Sequence, residues 1–283
     1  MADPPIRILS DLHFGDRASR VGSLAQLRPL LDGVAHLVLN GDTLDTRPGP
    51  APAHTAACLA EVRAFFPAHV PRVTFLTGNH DADFTSDHAL DLADGAVFVT
   101  HGDILHDDIV PWSQDAEFIR PQIAAGLAAL PAAERTQLAP RLALWRRVAA
   151  AIPQRHQSES HGLRYAVHFA RDTVWPPSRV LRVIRTWRGE PALAAAFARE
   201  HRPLAKFFLI GHTHRPGAWS APSGVVVINT GSFCRPFGGW AVDLGDGRVS
   251  VRRLIERRGE FRPGPIVAAF SLADAGASPT LAP

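Results

Sequence analysis

The 283-residue sequence predicts an α/β fold, and three observations support this prediction. Short apolar runs recur along the chain, and each is typical of a buried strand. The stretches between the first runs are long enough for crossover helices, as in the apolar-rich stretch 53–66. Polar residues that suit ligand binding follow directly after these runs. Strands that alternate with helices favour a layered α/β architecture.

Five of the predicted strands are Ile6–Ser10, His36–Asn40, Val73–Thr77, Ala96–Thr100 and Phe207–Gly211. Further strands are predicted at Val225–Asn229, Trp240–Asp243 and Val249–Leu254, with Gly and Pro between them. We interpret these last strands as hairpins of a second sheet.

The interval 107–203 differs from the rest of the chain. It is rich in Ala, Leu, Arg and Trp, and Val180, Val183, Ile184 and Trp187 share the spacing of one helix face. We therefore expect a helical insertion, or cap, on the α/β core. The predicted divisions are a first core part at 1–106, the insertion at 107–203, a second core part at 204–262 and an extended C-terminal tail at 263–283.

Composition excludes several classes of protein. With 46% hydrophobic and 20% charged residues, the chain is an ordinary globular protein and not a disordered one. It shows no internal repeat and no run near the ~20 apolar residues of a membrane span. Residues 1–5 lack the features of a signal peptide, so we expect a cytoplasmic protein. Two cysteines, Cys58 and Cys234, are too few for a zinc–thiolate cluster and are interpreted as inert thiols.

Positive charge is concentrated in the insertion. Between Arg141 and Arg202 there are 12 arginines and 4 acidic residues, a local balance of +8 in a chain of net charge +3. This surface suits an anionic partner such as phosphate, nucleic acid or lipid headgroups, including peripheral contact with the inner face of a membrane. No nucleic-acid-binding module accompanies it, so a nucleic-acid partner is not expected. The candidate phosphate contacts are Arg146, Arg147, Arg182 and Arg185.

Chemically versatile residues follow five of the predicted strands. The segments are Ser10-Asp11-Leu12-His13, Asn40-Gly41-Asp42-Thr43-Leu44-Asp45, Gly78-Asn79-His80-Asp81, His101-Gly102-Asp103 and Gly211-His212-Thr213-His214. In open α/β sheets the ligand site lies beyond the carboxyl ends of the strands, so these segments are expected to converge. Two adjacent divalent cations need such a mixture of His and carboxylate ligands, with one carboxylate bridging them. Oxygen and imidazole ligands without thiolate favour Mn²⁺, with Fe and Zn²⁺ as alternatives.

All five motifs, in this order, resemble those of the calcineurin-like metallophosphoesterase superfamily: Asp-x-His, Gly-Asp-x-x-Asp, Gly-Asn-His-Asp, His-Gly-Asp and Gly-His-x-His. The match covers residues 6 to about 255, apart from the insertion. The resemblance implies a four-layer αββα sandwich that carries the helical insertion as a cap.

The resemblance also implies a role for each matching residue. The first metal would be bound by Asp11, His13 and His214. The second would be bound by Asn79, His101 and His212, and Asp42 would bridge the two ions. His80 would contact the phosphate and protonate the leaving group, and Asp45 would orient His80. Asp103 is expected to hydrogen-bond to a metal ligand. A metal-bridging hydroxide would then attack phosphorus in line.

Within the superfamily, the segment His-Gly-Asp-Ile-Leu-His-Asp-Asp from His101 and the insertion after it are similar to UDP-2,3-diacylglucosamine hydrolases. Those lipid A pathway enzymes cleave a pyrophosphate bond and hold acyl chains beneath a helical lid. They typically carry Arg where this chain has His80. The resemblance implies a phosphodiester or pyrophosphate substrate that is a small molecule or lipid-linked. A nucleotide or nucleic-acid phosphodiesterase, and an inactive binding module of the same fold, are the alternatives.

Overall fold

Two β-sheets face each other at the centre of the molecule, of which a computed structural model describes residues 3–154, 163–164, 167 and 175–273. The described strands are β1 (Ile6–Leu9), β2 (His36–Asn40), β3 (Arg72–Leu76), β4 (Ala89–Leu92), β5 (Val97–Thr100), β6 (Phe207–Ile210), β7 (Gly217–Ser220), β8 (Val226–Asn229), β9 (Trp240–Gly245), β10 (Arg248–Arg257) and β11 (Glu260–Ser271). The first sheet has the spatial order β11-β10-β9-β1-β2-β3, and the second has the order β4-β5-β6-β8-β7.

Both sheets are mixed. In the first, β1, β2 and β3 are parallel neighbours. β9 pairs antiparallel with β1, β10 with β9, and β11 with β10. In the second, β5, β6 and β8 are parallel, with antiparallel strands at the two edges. The central strands β2, β5, β6 and β8 are buried at every position, as expected for strands covered on both faces.

Helices cover the outer faces of the two sheets. The described α-helices are α1 (Arg28–Leu31), α2 (Pro52–His69), α3 (Ala116–Ala129), α4 (Leu138–Ala150) and α5 (Pro177–His201). Helix α2 is the crossover between the parallel strands β2 and β3, as parallel pairing requires. Short 3₁₀ turns lie at Leu24–Leu27 and Asp103–Leu105.

Alternating strand residues separate the core into three apolar layers. Ile8 of β1 and Leu209 of β6 lie in the layer between the sheets. Leu9 faces the outer layer that contains Phe66 of α2. Phe208 faces the opposite outer layer, which α4 and α5 cover. The period of two along each strand therefore produces the α-β-β-α order, and the predicted α/β fold is confirmed.

The second sheet differs from its prediction. The strand expected at Val225–Asn229 does lie there as β8, but β9 and β10 belong to the first sheet because β9 pairs with β1, with Ile8 opposite Val242. Two short edge strands, β4 and β7, were not predicted. Neither carries the continuous apolar run of the central strands, because edge strands are only partly buried.

The predicted C-terminal tail begins as an extended segment, and this part of it is a strand of the first sheet. Strand β11 continues to Ser271 and pairs with β10 along most of its length, so the boundary drawn at residue 262 falls inside a strand. Residues 274–283 of the predicted tail lie outside the described residues.

The interval predicted as a helical insertion contains α3, α4 and α5, and its residues 155–162, 165–166 and 168–174 lie outside the described part of the chain. Trp145 of α4 is fully buried in the layer that includes Phe98 and Phe208, and its indole nitrogen donates to the carbonyl of His106 at 3.0 Å. Within the described residues, no helix combines the length and the apolar character needed to cross a membrane.

Because Trp145 joins the insertion to the second sheet, its removal is expected to destabilise the whole fold. Trp145→Ala should lower the free energy of unfolding by about 3–5 kcal/mol, the usual cost of deleting a buried aromatic side chain. Phe118→Ala is the matched control on α3, since that ring is 55% exposed and its loss should cost less than about 0.5 kcal/mol. Chemical denaturation measures both. Equal, small losses would show that the insertion is not docked through Trp145.

Candidate metal centre

The loops that follow β1, β2, β3, β5 and β6 meet at one end of the two sheets. They are joined by backbone hydrogen bonds: the amide of Asp11 donates to the carbonyl of Gly41 at 3.1 Å, and the amide of His13 donates to that of Asp42 at 2.9 Å. Between the strands of the second sheet, the amide of Gly211 donates to the carbonyl of His101 at 2.8 Å. The predicted convergence of the five motifs is therefore present in the structure.

Five of the candidate ligands adopt a strained backbone conformation. Positive φ angles, which residues other than glycine rarely adopt, occur at Asp11 (52°), His13 (48°), Asp42 (50°), His212 (67°) and His214 (56°). Such strain persists only where the surrounding contacts enforce it, and it is typical of functional sites. The close approach of Gly78 to Asp42 is one such contact, because a Cβ atom there would clash with Oδ1 of Asp42.

Asp11, His13 and His214 form the first group of candidate ligands. Nε2 of His214 lies 3.2 Å from Oδ1 of Asp11 and 3.1 Å from Nε2 of His13. Nε2 of His13 lies 3.9 Å from the same carboxylate oxygen. Three donor atoms thus surround one small volume, as the first predicted metal position requires.

Asp42 stands between this group and a second one. Its Oδ2 lies 3.7 Å from Nε2 of His13 and 3.2 Å from Nε2 of His101. Its Oδ1 accepts the backbone N–H of His80 at 2.8 Å. One oxygen of Asp42 therefore faces both groups, which is the geometry that a bridging carboxylate needs.

The second group consists of His101, His212 and Asn79. Nδ1 of His101 donates to the carbonyl of Asn40 at 3.0 Å, and Nε2 of His212 donates to the carbonyl of Ile109 at 2.7 Å. Because a carbonyl only accepts, these bonds fix the tautomers and leave one unprotonated nitrogen on each neutral ring.

An unpartnered acceptor in this group fits a cation. Within the described part of the chain, the amide oxygen of Asn79 is buried without a hydrogen-bond partner. Buried polar atoms without a partner are rare in native proteins. The donor atoms of Asp42, His101 and His212 also lie within 4.8 Å of one another. The residues present therefore fit two divalent cations that share Asp42.

The protonation states of His13, His212 and Asp42 suit metal binding. Burial lowers the pKa of His13 and of His212 to about 3, so both rings are neutral. Burial raises the pKa of the Asp42 carboxyl, but His101 and His80 outweigh burial and hold it well below its usual range. Burial opposes a charge on His101, yet Asp42 and Asp11 raise its pKa well above the usual value. A cation beside Asp42 would replace the proton that this pair otherwise requires.

His80 lies beside the metal residues and contacts Asp45, its predicted neighbour. Its Nδ1 is 3.0 Å from Oδ2 of Asp45, as predicted. Arg47, which the sequence analysis did not single out, places Nη2 2.7 Å from the same oxygen and 2.8 Å from Nδ1 of His80. Burial and Arg47 lower the pKa of His80, but Asp42 and Asp45 outweigh them and raise it.

Two buried aspartates support the loops. Oδ1 of Asp103 lies 3.2 Å from Nε2 of His88. Asp103 therefore forms an ion pair with His88, which is not one of the predicted metal ligands. The carboxylate of Asp81, whose role was not predicted, accepts the amides of Gly78 at 2.6 Å, Thr43 at 2.7 Å and Asp42 at 3.1 Å. It thereby ties the loop after β3 to the loop after β2.

The insertion contacts the loop that carries His212 and His214. Thr213 of this loop donates through Oγ1 to Oε2 of Glu190 on α5 at 3.0 Å, and its carbonyl accepts from the indole of Trp187 at 3.0 Å. Asn229 also lies 3.3 Å from Oε2 of Glu190. Burial raises the pKa of Glu190 to about 8. No local pattern in the sequence indicates that Glu190 contacts the metal-ligand loop, because polar residues are common in helical segments.

A cleft of about 280 Å³ opens above the candidate ligands. Its walls include the aromatic residues Trp112, Trp187 and Phe237 and the cationic residues Arg47 and Arg235. The predicted phosphate contacts Arg146, Arg147, Arg182 and Arg185 are not among its described lining residues. Arg146 instead donates to the carbonyl of Ser86 at 2.6 Å.

Cys234 also lines this cleft, although its sequence context indicated an inert thiol. Its sulfur and the ring nitrogens of His13 and His214 lie within 4.8 Å of one another. Burial and then Asp16 raise the pKa of the thiol well above its usual value. The spacing of the motifs gave no indication of this contact.

Comparison with known proteins places the chain among phosphoesterases. The family model of the calcineurin-like phosphoesterases matches residues 4–216. No curated protein sequence matches the chain significantly.

Comparison with solved structures finds matches of low sequence identity. A predicted phosphoesterase from Streptococcus pneumoniae is 17% identical, with 96% of this chain and 99% of that chain covered and a TM-score of 0.40. A dimetal phosphatase from Danio rerio is 13% identical, with 89% and 96% covered and a TM-score of 0.45. Vacuolar protein sorting 29 from Cryptosporidium parvum is 11% identical, with 96% and 100% covered and a TM-score of 0.47.

The buried Glu190 gives a prediction about stability and pH. Its pKa rises from an ordinary value of 4.5 to about 8 on folding, so the protonated carboxyl contributes stability that is lost as the pH rises through this range. The thermal unfolding midpoint of the wild type should therefore fall relative to that of Glu190→Gln between pH 4.5 and 8. Glu200→Gln, on the same helix with an exposed side chain, is the control and should follow the wild type. Parallel curves for the wild type and Glu190→Gln would contradict the buried, protonated state.

Proposed function

The chain belongs to the calcineurin-like phosphoesterase family of metal-dependent phosphoesterases, and from this premise we propose that it hydrolyses a phosphodiester or pyrophosphate bond in a substrate that carries an apolar group. The observation that carries the proposal is the position of Asp42, buried between two groups of metal-type donors at the floor of the cleft. An inactive binding module would have no need to retain both groups.

Seven residues would hold the two cations, with Asp42 shared between them: Asp11, His13 and His214 at the first position, and Asn79, His101 and His212 at the second. When bound, divalent cations neutralise the charge on phosphoryl oxygens and activate water as a nucleophile. We propose Mn²⁺ as the metal, with Fe and Zn²⁺ as alternatives, because the seven donors are oxygen and imidazole.

His80 is the proposed proton donor to the leaving oxygen. Because Asp45 and Arg47 both reach its Nδ1, the other ring nitrogen is the one left for the substrate. Asp45 holds the ring in orientation and favours the protonated form, since its carboxylate stabilises the positive charge. Arg47 adds a buried positive charge at the edge of the cleft, where it can attract a phosphate group.

The apolar walls of the cleft favour a substrate with a large apolar or aromatic part. Val183 and Trp187 line the cleft from α5, and Val180, one turn earlier, is 37% exposed. This stripe continues the cleft wall toward the molecular surface and suits an acyl chain. We therefore propose a lipid-linked substrate of the UDP-2,3-diacylglucosamine type. The second candidate is a nucleotide, because the cleft volume of about 280 Å³ and its tryptophans also fit a nucleobase.

The proposal is tested by measuring how fast the metal-loaded protein hydrolyses phosphate esters with different leaving groups. UDP-2,3-diacylglucosamine and bis-p-nitrophenyl phosphate are offered to the Mn²⁺ form, and Asp42→Ala should abolish turnover of either. His80→Gln should lower kcat about 10²–10⁴-fold on a diester with an alkyl leaving group, whose alkoxide needs a proton, and much less on the aryl diester or the sugar nucleotide, whose leaving groups are weakly basic. His69→Gln, an exposed histidine of α2, is the matched control and should leave kcat unchanged.

Each outcome has a distinct meaning. Release of UMP that depends on Asp42 supports the lipid-linked substrate. Aryl diester turnover without UMP release supports the phosphodiesterase chemistry and turns the search for a substrate to nucleotides. Equal losses of kcat on the alkyl and the aryl diester in His80→Gln contradict its role as a proton donor. Absence of turnover in a protein that binds two metals would favour the binding module.

A further inference from the structure

The loop that follows β8 brings a cysteine to the first candidate metal position. The amide of Phe233 donates to the carbonyl of Asp11 at 3.0 Å, and the amide of Arg20 donates to the carbonyl of Phe233 at 3.0 Å. The amide of the next residue, Cys234, donates to Oγ of Ser232 at 3.1 Å. These bonds attach the loop directly to the segment that carries Asp11 and His13, so the position of the sulfur is set by the backbone.

The sulfur faces donors and not a second cysteine. Cys234 is a free, buried thiol. Its Sγ, a ring nitrogen of His13 and a ring nitrogen of His214 all lie within 4.8 Å of one another. Nε2 of His13 and Nε2 of His214 are 3.1 Å apart. The cluster thus combines two imidazoles with one sulfur beside a carboxylate, and such mixtures of sulfur and nitrogen ligands are typical of zinc sites.

The other cysteine provides an internal comparison. Cys58 is also free and buried, but it lies on α2, where its sulfur is 3.6 Å from Nε2 of His54. Within the described residues it belongs to none of the groups of donors that could hold a metal ion. The chain therefore contains one cysteine beside the metal centre and one away from it, in otherwise similar burial.

We propose that Cys234 is a ligand of the cation at the first metal position, together with Asp11, His13 and His214. When the sulfur binds the cation, the S–H bond breaks and the proton leaves to solvent, with no change of oxidation state. A thiolate is a soft ligand that favours Zn²⁺ or Fe²⁺ over Mn²⁺. This inference rests on the proposed metal-dependent function, and it changes the expected metal at one of the two positions.

Cobalt spectroscopy tests the proposal without an activity assay. The full-length protein is loaded with Co²⁺, its metal content is measured, and its absorption is recorded for the wild type, Cys234→Ser and Cys58→Ser. We expect a sulfur-to-cobalt charge-transfer band in the near ultraviolet for the wild type and Cys58→Ser, and its loss in Cys234→Ser. The affinity for Zn²⁺ should fall at least about tenfold in Cys234→Ser, since even outer-shell changes cost roughly 10–100-fold in metal affinity. Mn²⁺ affinity should change less, because Mn²⁺ prefers oxygen ligands.

The outcomes separate this inference from the proposed function. If Co²⁺ binds without the band, or if the band persists in Cys234→Ser, the thiolate ligand is refuted and the metal centre stands. If the wild type binds no Co²⁺, both the inference and the metal-dependent function fail. Should Cys234→Ser not fold, X-ray absorption of the Zn²⁺-loaded wild type decides the question, because a Zn–S distance of ~2.3 Å is expected only with a thiolate ligand.

Discussion

The buried negative charge of Asp42 is the constraint on which the rest of the site depends. A carboxylate without solvent contact needs positive charge or hydrogen-bond donors on every side. Here it is held by the amide of His80 and faces His13 and His101, while Asp81 fixes the two loops that carry it. The strained backbone at five candidate ligands and the close approach of Gly78 are consequences of packing these loops around one carboxylate.

Residues of the insertion contact the loop of the candidate ligands His212 and His214 directly. The carbonyl of Ile109 accepts from the ring of His212 and so fixes its tautomer, although Ile109 itself adopts a positive φ of 55°. Glu190 and Trp187 of α5 hold the residue between the two histidines of the same loop. Any change that displaces α5 is therefore transmitted to the loop of His212 and His214, because Glu190 and Trp187 are hydrogen-bonded to Thr213.

The sequence alone predicted the α/β fold and brought seven candidate ligands together, because parallel strands place their carboxyl ends at one edge of a sheet. It did not predict which sheet β9 and β10 join, since that depends on pairing with β1 across more than two hundred residues. Arg47, Glu190 and Cys234 were missed for the same physical reason. Each acts through tertiary contacts with residues outside its own motif, and no local spacing encodes such contacts.

The central claim is that two cations share Asp42, and anomalous X-ray diffraction tests it most directly. Crystals grown with Mn²⁺ and measured near the manganese absorption edge should show two anomalous peaks in each chain. One should lie among Asp11, His13 and His214, the other among Asn79, His101 and His212, with the carboxylate of Asp42 in contact with both. A single peak, or two peaks of which only one contacts Asp42, would contradict the account.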